Sequence, residues 1–194
     1  MRSATVTRNT AETKIRLALN LDGSGQAKIS SGIGFFDHML TLFAHHGCLD
    51  LELQCDGDIK VDGHHTVEDI GIALGQAVQE ALGDKKGIRR YGSFFLPMDE
   101  TLALVALDIS GRPFLVYEGG SMAPLIGEYD TELTPEFLRA FAVNAGITLH
   151  AKILYGANSH HKVEALFKAL GHALREAVEK DPRVDGIPST KGVL

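Results

Sequence analysis

The chain repeats itself, and this duplication constrains its fold more than any other feature. Residues 57–82 read GDIKVDGHHTVEDIGIALGQAVQEAL, and residues 156–178 read GANSHHKVEALFKALGHALREAV. Both segments contain His-His-x-Val-Glu followed by apolar residues at helical spacing. A helical and then an alternating pattern precede each one, in FFDHMLTLFAHHGCLDLELQC and in PEFLRAFAVNAGITLHAKILY. Internal similarity over most of a chain indicates a duplicated fold.

The two halves have the same predicted elements. Each opens with a hairpin pattern around glycine, KIRLALNLDGSGQAKIS in the first and TLALVALDISGRPFLVYE in the second. We therefore predict two ββαβα halves, residues 1–92 and 93–194, joined by the turn-rich GDKKGIRRYGS and together forming one compact unit. The predicted class is α+β, with each half a mixed sheet carrying two helices on one face, and the halves packed about a pseudo-twofold axis. The pattern leaves open whether helices meet helices across that axis.

Composition narrows the class of protein. The 194 residues are 44% hydrophobic and 23% charged, which predicts a folded core rather than disorder. A formal net charge of −6 argues against nucleic acid as a partner. Two cysteines, Cys48 and Cys55, are too few for a disulfide framework and favour a reducing, cytoplasmic location. No run of 18 apolar residues occurs and the first residues are polar, so we expect no membrane partner and no secretory signal.

Histidine and glutamate recur together in the duplicated motif. His64 and Glu68 are spaced i,i+4, as are His160 and Glu164. If each helix begins near its His pair, this spacing places imidazole and carboxylate on one face. Such a donor set suits Mn, Fe, Co or Zn ions, and the motif has no thiolate of the kind found in structural zinc sites. The sequence therefore predicts a metal site in each half.

Further donors complete the predicted sets. His65 and His161 point about 100° away from their neighbours on a helix, so each motif can serve two ions. His38, in GFFDHML, and Glu136, in TPEFLRA, occupy matching positions upstream of the two pairs. Glu136 is also explained as an ordinary acid in the first turn of a helix. We treat both as candidate ligands.

Taken together, the motifs resemble one known family. They are NTAETKI, GIGFFDHML, DGHHTVEDIGIALG, GIRRYG, LDISGRP, NSHHKVEALFKALGHALREAV and PSTKGVL, and they look like imidazoleglycerol-phosphate dehydratase from about residue 3 to 194. The resemblance implies a hydro-lyase of histidine biosynthesis that converts D-erythro-imidazole-glycerol phosphate to imidazole-acetol phosphate. It also implies two Mn(2+) ions per active site, and a homo-oligomer of 24 subunits built from trimers, with active sites at subunit interfaces.

The resemblance also assigns roles to particular residues. The matched metal ligands are His38, His64, His65, Glu68, His160, His161 and Glu164, with Glu136 standing where many members have histidine. The matched contacts to the substrate phosphate are Arg90, Arg112, Ser189 and Lys191. Glu12 matches an acidic residue that contacts substrate and performs acid/base work. His64 and His160 join Glu12 in the predicted catalytic set.

The implied chemistry explains these residue types. The proton to be removed has no adjacent carbonyl to acidify it, so a base alone is insufficient. An azole ring held as imidazolate between two metal ions can expel the side-chain hydroxide and give a diazafulvene-like intermediate. A carboxylate such as Glu12, or a metal-bound water, then moves the proton. Arginines on the remote phosphate supply orientation.

Two other functions use the same His and Glu clusters. A metal-storing or metal-sensing oligomer needs no arginine and lysine set, so Arg90→Ala would leave its behaviour unaltered. A metallohydrolase of phosphate esters would release inorganic phosphate and form no ketone. Neither alternative explains the arginine, serine and lysine matches together with the resemblance along the chain.

Overall fold

The computed structural model describes residues 2–194 as two similar halves. The first half contains β1 (Ser3–Asn9), β2 (Thr13–Asn20), β3 (Ala27–Ser30), α1 (Gly34–Gly47), β4 (Asp50–Gly57) and α2 (His64–Leu82). The second contains β5 (Tyr91–Met98), β6 (Thr101–Asp108), β7 (Phe114–Glu118), the short β8 (Leu125–Ile126) and β9 (Tyr129–Asp130), α3 (Leu133–Ala145), β10 (Thr148–Tyr155) and α4 (Ser159–Val178). The predicted α+β class and the internal duplication are confirmed.

The two four-stranded sheets have the same strand order, β1-β2-β4-β3 in one half and β5-β6-β10-β7 in the other, while β8 and β9 form a separate two-stranded sheet. Both four-stranded sheets are mixed, because β3 runs parallel to β4, and β7 runs parallel to β10, while the other pairs are antiparallel. Each half also begins with one strand, β1 or β5, that the predicted ββαβα pattern did not contain. The predicted hairpins around glycine are wrong, since β4 separates β2 from β3 and β10 separates β6 from β7. α1 follows β3 and α3 follows β7, and each helix brings the chain back so that the next strand, β4 or β10, pairs parallel. A local turn pattern does not indicate this pairing.

The helices lie between the two sheets. α2 packs on β1 and β2, and α4 packs on β5 and β6. Across the halves, α2 packs against α3 and α1 packs against α4. Helices therefore do meet helices at the centre, which the sequence left open. Phe36, Phe137 and Phe167 share this centre, with ring centroids 5.2–6.2 Å apart.

Two glycines at matching positions allow the helices to approach closely. A Cβ on Gly75 of α2 would lie 2.7 Å from the Phe141 carbonyl oxygen of α3. A Cβ on Gly171 of α4 would lie 2.6 Å from the Phe43 carbonyl oxygen of α1. Backbone contacts this short leave no room for a side chain. The second crossing holds together the helices that carry His38 and His160.

The four helices are not membrane-spanning elements. Between residues 2 and 194, none combines the length and apolar character required to cross a lipid bilayer. Their buried faces are covered instead by the two sheets and by one another.

Candidate metal and substrate site

Both His pairs lie at helix starts, as predicted. α2 begins at His64, whose backbone N–H donates to the Asp62 carboxylate at 2.8 Å. In α4 the Asn158 side chain caps the helix by accepting the His161 N–H at 3.2 Å. Side-chain acceptors at N-termini satisfy backbone donors that have no partner within the helix. The i,i+4 face proposed for each His and Glu therefore exists.

Three of the predicted ligands, from both halves of the chain, come together in the structure. His38 of α1 joins His160 and Glu164 of α4, and one ligand atom from each residue lies within 4.8 Å of the other two. A single Glu164 oxygen, Oε2, is 2.9 Å from His160 Nε2 and 3.5 Å from His38 Nε2. We call these three residues the His38 cluster. Two imidazoles and a carboxylate converging on one point fit the donor preferences of Mn(2+) or Zn(2+).

Glu164 is a buried carboxylate that remains charged. Its side chain is 8% exposed, and its other oxygen accepts from Lys168 Nζ at 2.6 Å. Burial acts to raise its pKa, but hydrogen bonds from Lys168 and His160 outweigh that effect and hold the pKa below its ordinary value. An ionised carboxylate beside two imidazoles is the state required to bind a cation.

The corresponding set in the other half is looser. His64 Nε2 lies 3.7 Å from Glu68 Oε2. Glu136 of α3 lines the same depression as His64, but its carboxylate accepts from Arg139 at 2.6 Å. We call His64, Glu68 and Glu136 the His64 group. α2 packs against α3, and α1 packs against α4. Glu136 of the second half therefore lies beside the His motif of the first half, and His38 of the first half lies beside the His motif of the second.

The second histidine of each pair faces a carboxylate that sequence reasoning missed. His65 Nδ1 lies 2.8 Å from Asp58, and His161 Nδ1 lies 2.8 Å from Glu100. These hydrogen bonds raise the pKa of both imidazoles. With Nδ1 engaged, Nε2 is the atom left for a metal, an arrangement typical of orienting carboxylates around metal-bound histidine. The duplicated sequence could have identified Glu100, because Glu100 occupies the position in the second half that Glu12 occupies in the first.

Glu12 lies beside the first His motif. It belongs to the turn between β1 and β2, its side chain is 51% exposed, and its Oε1 is 3.7 Å from His65 Nε2. An accessible carboxylate next to a predicted ligand suits acid/base work on a bound molecule.

The predicted phosphate contacts form a separate group at the start of β5. Arg90 binds Asp108 through Nε and Nη2 at 2.7 and 3.1 Å, and donates from Nη1 to the Pro188 carbonyl oxygen at 2.9 Å. Arg112 Nη2 lies 3.8 Å from the same Asp108 carboxylate and is largely exposed. Arg90 thus ties down the segment that leads into Ser189 and Lys191, where the Lys191 N–H donates to Ser189 Oγ at 3.2 Å.

These predicted phosphate contacts are distant from His161 of the same chain. The backbone N–H of Arg90 donates to the Ala177 carbonyl oxygen at 2.9 Å, at the last turn of α4. His161 lies in the first turn of the same helix. Sixteen residues at about 1.5 Å each separate the two ends by roughly 24 Å. The structure therefore forms the His38 cluster, the His64 group and the set of predicted phosphate contacts, but within one chain these three sets do not converge at one point.

Comparisons with known proteins agree on one family. The sequence model of imidazoleglycerol-phosphate dehydratase matches residues 31–174. The imidazoleglycerol-phosphate dehydratase of Acetivibrio thermocellus is 60% identical over 97% of this chain and 97% of its own length. That of Bacillus thuringiensis is 57% identical over the full length of both chains.

The chain belongs to the imidazoleglycerol-phosphate dehydratase family. Solved structures of the family have the same fold. The crystal structure from Staphylococcus aureus is 41% identical, covers 92% of this chain and 99% of its own, and superimposes with a TM-score of 0.83. A structure from Pyrococcus furiosus is 36% identical, with 97% and 100% coverage and a TM-score of 0.84. As a member of this family, the chain is a hydro-lyase of the histidine-biosynthetic dehydration step.

Proposed function

We propose that this chain dehydrates D-erythro-imidazole-glycerol phosphate to imidazole-acetol phosphate in a metal-dependent reaction in the cytoplasm. The observation that carries the metal dependence is the His38 cluster, in which three donors from two halves of the chain converge within 4.8 Å. Lys168 engages one oxygen of the Glu164 carboxylate, while the other, Oε2, faces the Nε2 atoms of His160 and His38, where a divalent ion could be bound. The donors thus fit a borderline divalent ion, and Mn(2+) is the ion we expect from the family resemblance.

We assign two ions to each active site. The His38 cluster would hold one, and the His64 group would hold the other. His65 and His161, each oriented by a carboxylate on Nδ1, would complete the two sets with Nε2. Glu136 would first have to exchange Arg139 for the ion.

We propose that each active site is shared between chains of a homo-oligomer, with 24 subunits expected from the resemblance. The separation of Arg90 from His161 by roughly 24 Å along α4 supports this proposal. A small phosphorylated imidazole cannot span the distance between Arg90 and His161 of one chain. The predicted phosphate contacts of one subunit would therefore bind a substrate whose ring lies at the metal ligands of another subunit.

Different residues would bind the substrate phosphate and transfer the proton in the proposed reaction. Hydroxide leaves the carbon attached to the ring, a proton leaves the neighbouring carbon, and the resulting enol becomes the ketone. Arg90, Arg112, Ser189 and Lys191 would hold the phosphate and fix the distance to the reacting carbons. Glu12 would accept the proton, since its carboxylate is exposed beside His65. When bound, two Mn(2+) ions would act as Lewis acids that stabilise the imidazolate form of the substrate ring.

Glu12→Gln tests the proton-transfer role. We expect kcat to fall on the order of 100-fold or more, with KM and Mn(2+) content unchanged, because the amide keeps the shape but cannot accept the proton. Glu52→Gln, an exposed residue on β4, is the matched control and should retain full turnover. Unchanged turnover in Glu12→Gln would remove Glu12 from the mechanism.

A further inference from the structure

A buried acid next to the first His motif has partners that the mechanism above does not use. Asp69 of α2 is 7% exposed and follows Glu68 directly. Its Oδ1 accepts from Arg8 Nη2 at 2.8 Å and from Arg8 Nε at 3.1 Å. Its Oδ2 accepts from Thr13 Oγ1 at 2.5 Å. Asp69 thereby connects α2 to both strands of the β1–β2 hairpin.

The turn joined to Thr13 is the one that carries Glu12. Thr10 Oγ1 accepts the backbone N–H groups of Glu12 and Thr13 at 3.1 and 3.0 Å and lies 3.2 Å from Thr13 Oγ1. The Thr10 N–H donates in turn to the Thr13 carbonyl oxygen at 2.8 Å. The Glu12 backbone is therefore attached to α2, the helix of His64 and His65, by a continuous chain of hydrogen bonds through Asp69. We call Arg8, Asp69 and Thr13 the clamp.

The second half of the chain indicates that the fold does not need the clamp. Strand register and the His motifs match Arg8 with Leu96 and Asp69 with Ala165. Leu96 of β5 and Ala165 of α4 are both buried apolar residues. A buried ion pair is weak evidence for stability, because well-packed apolar residues commonly replace it at no cost. The clamp is thus specific to the half that contains Glu12.

The matching turn in the second half is fixed by other means. Glu100 stands where Glu12 does, but its carboxylate accepts the N–H groups of Ala157 and Asn158 at 3.0 and 2.7 Å and bonds His161 at 2.8 Å. That carboxylate holds its own turn in place. Within residues 2–194 the Glu12 carboxylate makes no comparable hydrogen bond. The turn that carries Glu12 must therefore be held in place by other residues.

We propose that Asp69 is a positioning residue, which holds the Glu12 carboxylate at its working distance from the α2 histidines through Thr13 and Arg8. The inference rests on the proposed role of Glu12 in proton transfer. Misplacing a catalytic group by about 1 Å reduces a rate on the order of 100-fold. Asp69 acts on the rate through Glu12 and does not touch the substrate.

The variant Arg8→Leu/Asp69→Ala tests this role by copying the apolar pair of the second half. We expect it to fold with an unchanged unfolding temperature and to bind the same amount of Mn(2+). Its kcat should fall on the order of 100-fold while KM changes less than about threefold. Asp22→Asn is the matched control, because it breaks another Arg–Asp pair, with Arg2, at the far end of β1. Full turnover is expected there.

Coupling to Glu12 separates positioning from a general structural role. In a Glu12→Gln background, the double substitution should lower kcat by less than about threefold, because residues that act as one unit are not additive. The same loss in both backgrounds, a wild-type kcat in the clamp variant, or a loss of bound Mn(2+) would each overturn the proposal. If the double variant does not fold, Thr13→Val removes the hydroxyl link alone and should lower kcat on the order of 10-fold.

Hydrogen exchange supplies a readout that does not depend on activity. The backbone amides of Glu12 and Thr13 should exchange faster in the clamp variant than in wild type, since their shared acceptor, Thr10 Oγ1, loses its support. Unaltered exchange of these amides contradicts the clamp. A wild-type chain that forms no ketone contradicts the proposed function instead, so the two failures are distinguishable.

Discussion

Gly171→Ala should destabilise the protein, although alanine is the better helix former. The added Cβ would lie 2.6 Å from the Phe43 carbonyl oxygen and 2.9 Å from the Gly47 amide nitrogen, both on α1. Neither backbone atom can rotate away, so α1 must withdraw by about 0.8 Å to restore an ordinary contact near 3.4 Å. Such overpacking costs about 1–3 kcal/mol, against about 0.5–1 kcal/mol gained from replacing a helical glycine.

The difference between these ranges is a net loss centred near about 1 kcal/mol and at most about 2.5 kcal/mol. For a chain of this size we expect Tm to fall by roughly 2–5 °C, recorded by scanning calorimetry on the metal-free protein. Because α1 carries His38 and α4 carries His160 and Glu164, the displacement should also weaken Mn(2+) binding. Gly34→Ala is the control, since its Cβ meets no atom within 4 Å and should leave Tm equal or higher. A Tm for Gly171→Ala at or above that of Gly34→Ala would refute the close-packing argument.

Three further predictions follow from the site. Glu164→Gln should weaken Mn(2+) binding by at least about 100-fold in a calorimetric titration, because a direct charged ligand is lost, whereas exposed Glu118→Gln should not. Arg112→Ala should raise KM on the order of 10-fold with little change in kcat, as expected for loss of uniform binding, and an unchanged KM would exclude Arg112 from phosphate binding. In the metal-free protein, the hydrogen bond to Glu100 raises the pKa of His161 above its ordinary value, and NMR should record a lower pKa in Glu100→Gln. The stabilisation from that pair is present below the unfolded pKa and lost as pH rises through the folded one.

Periodicity predicted those features of the fold that depend on neighbours in sequence. The His pairs lie at the starts of α2 and α4 because the apolar stripes that follow them are helical. Strand order depends on a different property. The glycine-rich turn after β2 indicated a hairpin, but α1 carries the chain over so that β3 pairs parallel with β4. No local pattern distinguishes these outcomes, since both place an alternating strand after a turn.

The candidate site was predictable as a set of residues and not as a set of contacts. Spacing paired His160 with Glu164, but the approach of His38 depends on α1 crossing α4 from the other half. Asp58 and Glu100, which orient the second histidines, are single acids in loops with no spacing signal of their own. Comparison of the turn around Glu12 with its duplicate identifies Glu100, and the same comparison reveals the clamp.

The most direct test of metal-dependent dehydration is an activity assay on protein with and without its metal. Protein stripped with a chelator would be assayed for ketone formation from imidazoleglycerol phosphate before and after addition of Mn(II), with inorganic phosphate measured in parallel. We expect no ketone from the stripped protein, ketone formation once Mn(II) is restored, and no phosphate release. Mn(II) that rebinds without ketone formation, or a stripped protein that remains fully active, would contradict the proposed metal-dependent dehydration.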